Sequence, residues 1–218
     1  MKIQYKVRFF TDWHCGSGMS AGADVDALVV KDRNGLPYIP GRTIKGLLRE
    51  AVDDIISFRT TDMEKAKADN GGRSADDCRR LVMEAFGYFD GKAESSVGEP
   101  RPEMRRGCAF FRNAELPEDE RNAIVKDGLQ PYLYRTISNT AIDEYGIAVD
   151  HSLRRMEVTV PCALEGEILD LPDDEEFKNL MIDALKYIKR LGQNRNRGLG
   201  RCAFSEIPVE EKKTQKKE

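Results

Sequence analysis

Residues 37–56 read PYIPGRTIKGLLREAVDDII. Pro37 and Pro40 hold the approach extended, because a proline pushes the residue before it away from helical backbone angles. Thr43 then has the chemistry of a helix N-cap, a side-chain oxygen able to accept a free first-turn N–H. Behind it Ile44, Leu47, Leu48, Ala51, Val52, Ile55 and Ile56 recur at helical spacing, the mark of an amphipathic helix with one face to bury.

Working outward, Ile3, Tyr5, Val7 and Phe9 alternate with Gln4, Lys6 and Arg8, so residues 2–10 read as a half-buried strand. Residues 27–31 (ALVVK) read as a second strand, followed by a turn at Asn34-Gly35. A second helix is expected over about 75–87, with Cys78, Leu81, Val82, Ala85 and Phe86 on one side. The polar segment 57–74, with Gly71-Gly72, is expected to be a mobile insertion. Residues 90–107 form another, basic one, with Arg101, Arg105 and Arg106. Residues 108–116 read as a strand, 130–155 as irregular, and 156–171 as two strands. Asp173 and Asp174 open a last helix with Phe177, Leu180, Met181, Ala184, Leu185, Ile188 and Leu191 in its stripe, and Gly192 stops it. A final strand covers 201–207, and the charged tail 209–218 is expected to be disordered. This order predicts a single α+β domain over 1–208, an antiparallel sheet with helices on one face. The other sheet face and the irregular segments are left to hold a ligand.

The chain has 218 residues, 40% apolar and 33% charged, an ordinary globular balance. Its five cysteines are scattered without a CxxC pair, which argues against a disulfide framework or a zinc site. No apolar run is long enough to span a bilayer and MKIQYKVRFF lacks the layout of a signal peptide, so a cytoplasmic protein without membrane partners is expected. The net charge is −3, but Lys186, Lys189, Arg190, Arg195, Arg197 and Arg201 crowd one acid-free stretch. One basic face on an acidic protein suits a phosphate-tracking groove.

Two segments carry that chemistry. In GQNRNRGLGRC (192–202), Gly198 and Gly200 let backbone amides approach a phosphate, and Arg195, Arg197 and Arg201 add charge. The loop follows a helix and precedes a strand, the reverse of a dinucleotide fingerprint, and no Walker lysine motif is present. In PYIPGRTIKGLLRE, Thr43 and Lys45 sit in a first helical turn whose amides favour an anion, with Arg42 beside them and Arg49 one turn after Lys45. Gly46 is costly inside a helix; it serves either close packing or the approach of a nucleic-acid backbone. The two segments are expected to meet in space, with Lys45 and Arg197 on one positive channel.

Together these segments resemble the repeat-associated mysterious protein (RAMP) superfamily of CRISPR systems. IPGRTIKGLLR is similar to that family's motif of Pro-Gly followed by Lys-Gly and an Arg, with Arg42 where the family often has Ser. LGQNRNRGLGRC is similar to its C-terminal glycine-rich loop, and AFGYFDG (85–91) to its Phe-Gly segment. RTISNTAIDEYGIAVDHSLRRMEVTVP (135–161) resembles the thumb-like hairpin of backbone subunits, bringing in Arg135 and Arg154. The resemblance implies a ferredoxin-like (RRM-like) fold with a thumb-like hairpin. The implied partners are a guide CRISPR RNA, a target RNA, other effector subunits and copies of the chain itself in a filament.

ADVDALVVKDRNGLPYIPG (23–41) is similar to the type III backbone subunit that cuts target RNA. By that resemblance Asp26 is the catalytic and metal-binding candidate, with Asp24 beside it, and Mg2+ or Mn2+ the implied cofactor. Such a metal supports in-line attack of the ribose 2′-OH, leaving a 2′,3′-cyclic phosphate and a 5′-OH. On residue chemistry alone Asp26 is rather a turn or strand-edge residue bonded to nearby amides, a common use of Asp, which leaves a non-catalytic backbone or capping subunit open. A guide-processing endoribonuclease would use His14 as general base, although a buried or loop histidine is the commoner use; His151 is read the same way. Trp13, Tyr132 and Tyr134 are stacking or packing residues. Met156 and Ile142 are apolar hairpin residues.

Overall fold

The computed structural model describes residues 1–22, 24–65, 75–90 and 103–208. The elements in chain order are β1 (Ile3–Phe9), β2 (Tyr38–Ile39), α1 (Gly41–Lys65), α2 (Ala75–Phe86), β3 (Gly87–Asp90), β4 (Glu103–Arg106), β5 (Phe110–Phe111), β6 (Ala114–Glu115), α3 (Glu118–Lys126), β7 (Tyr134–Asn139), β8 (Arg154–Thr159), β9 (Ala163–Leu169), α4 (Glu175–Tyr187) and β10 (Cys202–Glu206). The fold is α+β. Its main sheet runs β10-β1-β9-β6-β2, with β5 also paired to β9, and every neighbour is antiparallel. Two hairpins, β3-β4 and β7-β8, stand apart.

The core follows the alternation of β1. Ile3, Tyr5, Val7 and Phe9 are buried, as are Leu164 and Ile168 of β9 and Cys202 and Phe204 of β10. Against them lie Ile44, Leu48, Ala51, Val52 and Ile56 of α1, and Phe177, Leu180, Met181, Ala184 and Leu185 of α4. Each Val, Leu, Ile, Phe or Met side chain among them contributes about 1.5–3 kcal/mol when fully buried rather than exposed. The opposite sheet face is polar, with Lys6 paired to Glu165 and Arg112 to Glu167.

Several element boundaries differ from expectation. Helix α1 starts at Gly41 rather than after a Thr43 cap, because the Pro40 carbonyl accepts the Thr43 N–H and Asn113 Oδ1 accepts the Gly41 N–H at 3.0 Å. Gly41 is required there: a Cβ would stand 2.0 Å from the Phe111 carbonyl oxygen. The same helix runs on to Lys65, so part of the expected 57–74 insertion is helical; 66–74 lie outside the described residues. Residues 27–31 form isolated bridges, not a strand, since their partners come from three different segments. The 108–116 strand is interrupted between β5 and β6. The 90–107 segment includes the β3–β4 pairing, and 91–102 are outside the described residues, as is the tail from 209. Within 130–155, β7 is regular and pairs with β8. Helix α4 ends at Tyr187, with Ile188 extended, and Ile188 and Leu191 beyond it are still buried.

Candidate nucleic-acid interface

Because β9 and β10 are both antiparallel to β1, Phe9 lies opposite Cys202 and Arg8 opposite Ala163. The chain after β1, the hairpin before β9 and the glycine-rich loop before β10 therefore emerge at one end of the sheet. Hydrogen bonds lock them together. Trp13 and Thr159 exchange backbone bonds of 3.0 and 2.8 Å, the Gln193 N–H donates to the His14 carbonyl at 2.9 Å, and the Gly200 N–H donates to the Asp12 carbonyl at 2.7 Å. The buried Asp12 carboxylate also accepts Arg135 Nε at 2.6 Å. Asn194 Nδ2 reaches Met156 Sδ at 3.5 Å.

The stretch 16–30 is held against β8. Asp26 Oδ2 accepts the Arg155 N–H, and Glu157 takes the Val29 N–H at 3.1 Å and Lys31 Nζ at 2.7 Å. Lys31 also stands 3.9 Å from the Tyr134 ring centroid, and Tyr134 donates to the Gly35 carbonyl. Asp24 and Asp26 are both exposed. Among the described residues no three His, Cys, Asp or Glu side chains are grouped to hold a metal. One exposed carboxylate still fits a hydrated Mg2+ or Mn2+, which keeps several waters and binds one or two carboxylates together with substrate phosphates.

Arg154, Arg155, Arg195, Arg197 and Arg201 are exposed around this end, and Arg190 donates to the Arg195 carbonyl at 2.9 Å. The two predicted glycines part company. Gly200 (φ 68°) is structural: a Cβ would lie 1.9 Å from the Leu191 carbonyl, and its amide is already used. Gly198 (φ 92°) is exposed with nothing near a would-be Cβ.

Lys45 and Arg195 of the glycine-rich loop flank α1 from opposite sides. Lys45 stands over the Phe111 ring and Arg49 donates to the Gly87 carbonyl at 3.2 Å. Arg190 and Arg195 line a pocket of about 170 Å³ with Leu47, Glu50 and Asp54, on the other side of α1. At about 100° of rotation per residue, Lys45 and Leu47 cannot share a helix face. The stripe between them carries Arg42, Gly46 and Glu50 and is exposed, with open space around Gly46. Close packing among the described residues therefore does not explain Gly46. Thr43 is half-buried.

His14 is 1% exposed and its Nδ1 is 2.6 Å from the Glu157 carbonyl, which withholds it from a substrate. Trp13 is buried and stacks on Phe9, whereas Tyr132 is exposed. Met156 is buried; Ile142 is exposed at the hairpin tip with Tyr145, Ile147 and Leu153. His151 is exposed with φ 58°. Asp12, Arg155 and Glu157, the residues that tie the segments together, had no local signal beyond the Arg154-Arg155 pair.

An antiparallel α+β scaffold that gathers a basic glycine-rich loop, an arginine-bearing hairpin and an acidic loop at one end defines the class. The RAMP superfamily matches residues 6–203, and the chain belongs to that superfamily. Solved structures extend the likeness at the level of fold. One is a chain of the type III-B Cmr-beta complex bound to cognate target RNA, at TM-score 0.60 and 11% identity, covering 94% of this chain and 97% of that one. Another is a chain of the type III-B Cmr-beta complex in its apo state, at TM-score 0.58 and 12% identity, covering 96% and 98%. No curated protein matches the sequence. Among the described residues no helix is long and apolar enough to cross a membrane.

Proposed function

We propose that this chain is a guide-RNA-binding backbone subunit of a type III CRISPR effector complex that cuts paired target RNA with Mg2+ or Mn2+. The carrying observation is the convergence of the glycine-rich loop, the β7–β8 hairpin and the Asp26 loop at one end of the sheet. The guide backbone crosses the exposed stripe of α1 at Arg42 and Gly46, with Lys45 and Arg49 to one side and Thr43, Arg195 and Arg197 to the other. Gly198 admits the backbone, and Arg135, Arg154 and Arg201 extend the positive surface. The hairpin tip, with Ile142 and Tyr145 exposed, enters the guide–target duplex, and copies of the chain repeat that insertion along the RNA beside the other subunits. Asp26 holds the hydrated metal, which supplies charge neutralisation at the reacting phosphate. Asp24 is its neighbour on the same exposed turn. Localisation in the cytoplasm accords with such a complex.

The Asp26–Arg155 bond favours a second reading, a backbone subunit that binds RNA without cutting it and uses Asp26 to place its hairpin. RNA of uniform length copurifying with the chain is the expected result for either reading, and its absence rejects both. Cleavage of a complementary target, abolished by EDTA, distinguishes the first from the second.

A further inference from the structure

The even-numbered residues of β1 face away from α1 and α4, and Phe10 continues that side just beyond the strand. Phe10 is 49% exposed on a face otherwise set with Gln4, Lys6 and Arg8. Its neighbours are specific. The guanidinium carbon of Arg8 lies 5.7 Å from the Phe10 ring centroid, and that of Arg201 lies 6.0 Å away. Arg8 is two residues back on the same strand, and Arg201 lies across from Phe10, next to the Phe9–Cys202 pair. Among the described residues neither guanidinium is paired with a carboxylate, whereas Lys6 and Arg112 on the same sheet face are. The residues opposite Arg8 on both sides are alanines, Ala163 and Ala203, whose side chains rise little from the sheet.

The ring is also held in place. The Phe10 N–H donates to the Arg201 carbonyl at 2.8 Å, the Arg201 N–H to Thr11 Oγ1 at 3.0 Å, and the Phe9 N–H to the Cys162 carbonyl at 2.9 Å. Beneath, on the helix side, Phe9 stacks on Trp13 at 4.5 Å and 9°. A fixed, half-exposed ring between two uncompensated guanidiniums suits a nucleobase on the ring with its flanking phosphates on the arginines. A purely apolar partner would leave those two charges buried and unpaired, which is costly.

We infer that Phe10, Arg8 and Arg201 form a nucleotide-stacking site for single-stranded RNA on the open face of the sheet. The site rests on the RNA-binding reading above and joins its glycine-rich loop through Arg201.

The test measures binding of a fluorescein-labelled oligouridine to the full chain across a salt series, with thermal unfolding recorded for each variant. Phe10→Leu keeps apolar bulk and should weaken binding about five-fold or more, while Phe10→Trp should bind at least as tightly as the wild type. Arg8→Ala should make the log–log salt dependence shallower by about 0.7. Wild-type affinity in both Phe10 variants overturns the site; if Arg195→Ala/Arg197→Ala still weakens binding, the RNA-binding reading survives that result. Equal losses in the Leu and Trp variants also overturn it, because they report packing rather than stacking. A folded wild type that binds no oligouridine overturns both.

Discussion

Asp26 and Arg155 clasp each other through two hydrogen bonds: Asp26 Oδ2 accepts the Arg155 N–H at 2.7 Å, and the Arg155 carbonyl accepts the Asp26 N–H at 2.9 Å. The candidate catalytic carboxylate is thus also the anchor of the hairpin. Asp26→Ala removes both functions and cannot separate them. Asp26→Asn keeps an oxygen acceptor for Arg155 but lacks the charge that holds a metal. It should leave the thermal midpoint and guide binding unchanged and slow single-turnover cutting by about 100-fold or more, the scale on which lost transition-state charge stabilisation acts. Wild-type cutting by Asp26→Asn would leave Asp26 an anchor alone.

Arg195 and Arg197 are exposed and should act through phosphates. Replacing both with Ala should weaken guide binding at low salt and make its log–log salt dependence shallower by about 1.4, at about 0.7 per single-strand phosphate contact. An unchanged slope in a filter-binding series would remove the loop from the interface.

Gly46 offers a test in which stability and binding move in opposite directions. A Cβ there meets nothing among the described residues, so Gly46→Ala should stabilise α1 by about 0.5–1 kcal/mol through lower backbone entropy. RNA affinity should nevertheless fall if the guide backbone lies against this turn. Urea unfolding and RNA titration of the same preparation read both effects.

The glycine-rich loop makes a graded prediction. Gly200→Ala meets the Leu191 carbonyl at φ 68°, and should lose about 2–4 kcal/mol from overlap and left-handed strain together. Gly198→Ala faces open space at φ 92° and should lose only about 1–2 kcal/mol. Equal losses in urea unfolding would contradict the packing described around Leu191.

Burial raises the Cys15 and Cys162 thiols from an ordinary value of 9.0 to about 11, and the Cys202 thiol to about 12. Above pH 9 the unfolded chain releases protons that the folded chain keeps, so unfolding gains and stability falls as pH rises. The loss should begin near pH 9 and grow through pH 11. Below pH 9 all three thiols should resist alkylation until the protein unfolds, which mass spectrometry of iodoacetamide-treated protein can follow.

Periodicity was readable wherever one face of an element is buried. Strand β1 and the stripe of α4 follow from alternation and from helical spacing, because burial selects side chains at the repeat of the backbone. Boundaries set by distant groups were not. Asn113 and Pro40 move the start of α1 to Gly41, and no local feature near Thr43 announces Asn113. Residues 27–31 have strand-like composition but find partners at Gly16, Pro37 and Met156, too dispersed for a ladder. Helix α3 buries no residue, so its sequence lacks the stripe that marks the other helices.

The site divides along the same line. The linear order of residues alone specified the basic glycine-rich loop, the Pro-Gly-x-x-x-Lys-Gly segment and the exposed acidic turn, since these are local chemistries carried by neighbours. Three-dimensional folding alone decided that Lys45 and Arg195 flank α1 from opposite sides, that His14 is sealed inside, and that Phe10 lies beside the guanidiniums of Arg8 and Arg201. It also decided that Asp26 meets a partner 129 positions away. Sequence spacing governs contacts within an element, while contacts between elements depend on how the packed faces orient them.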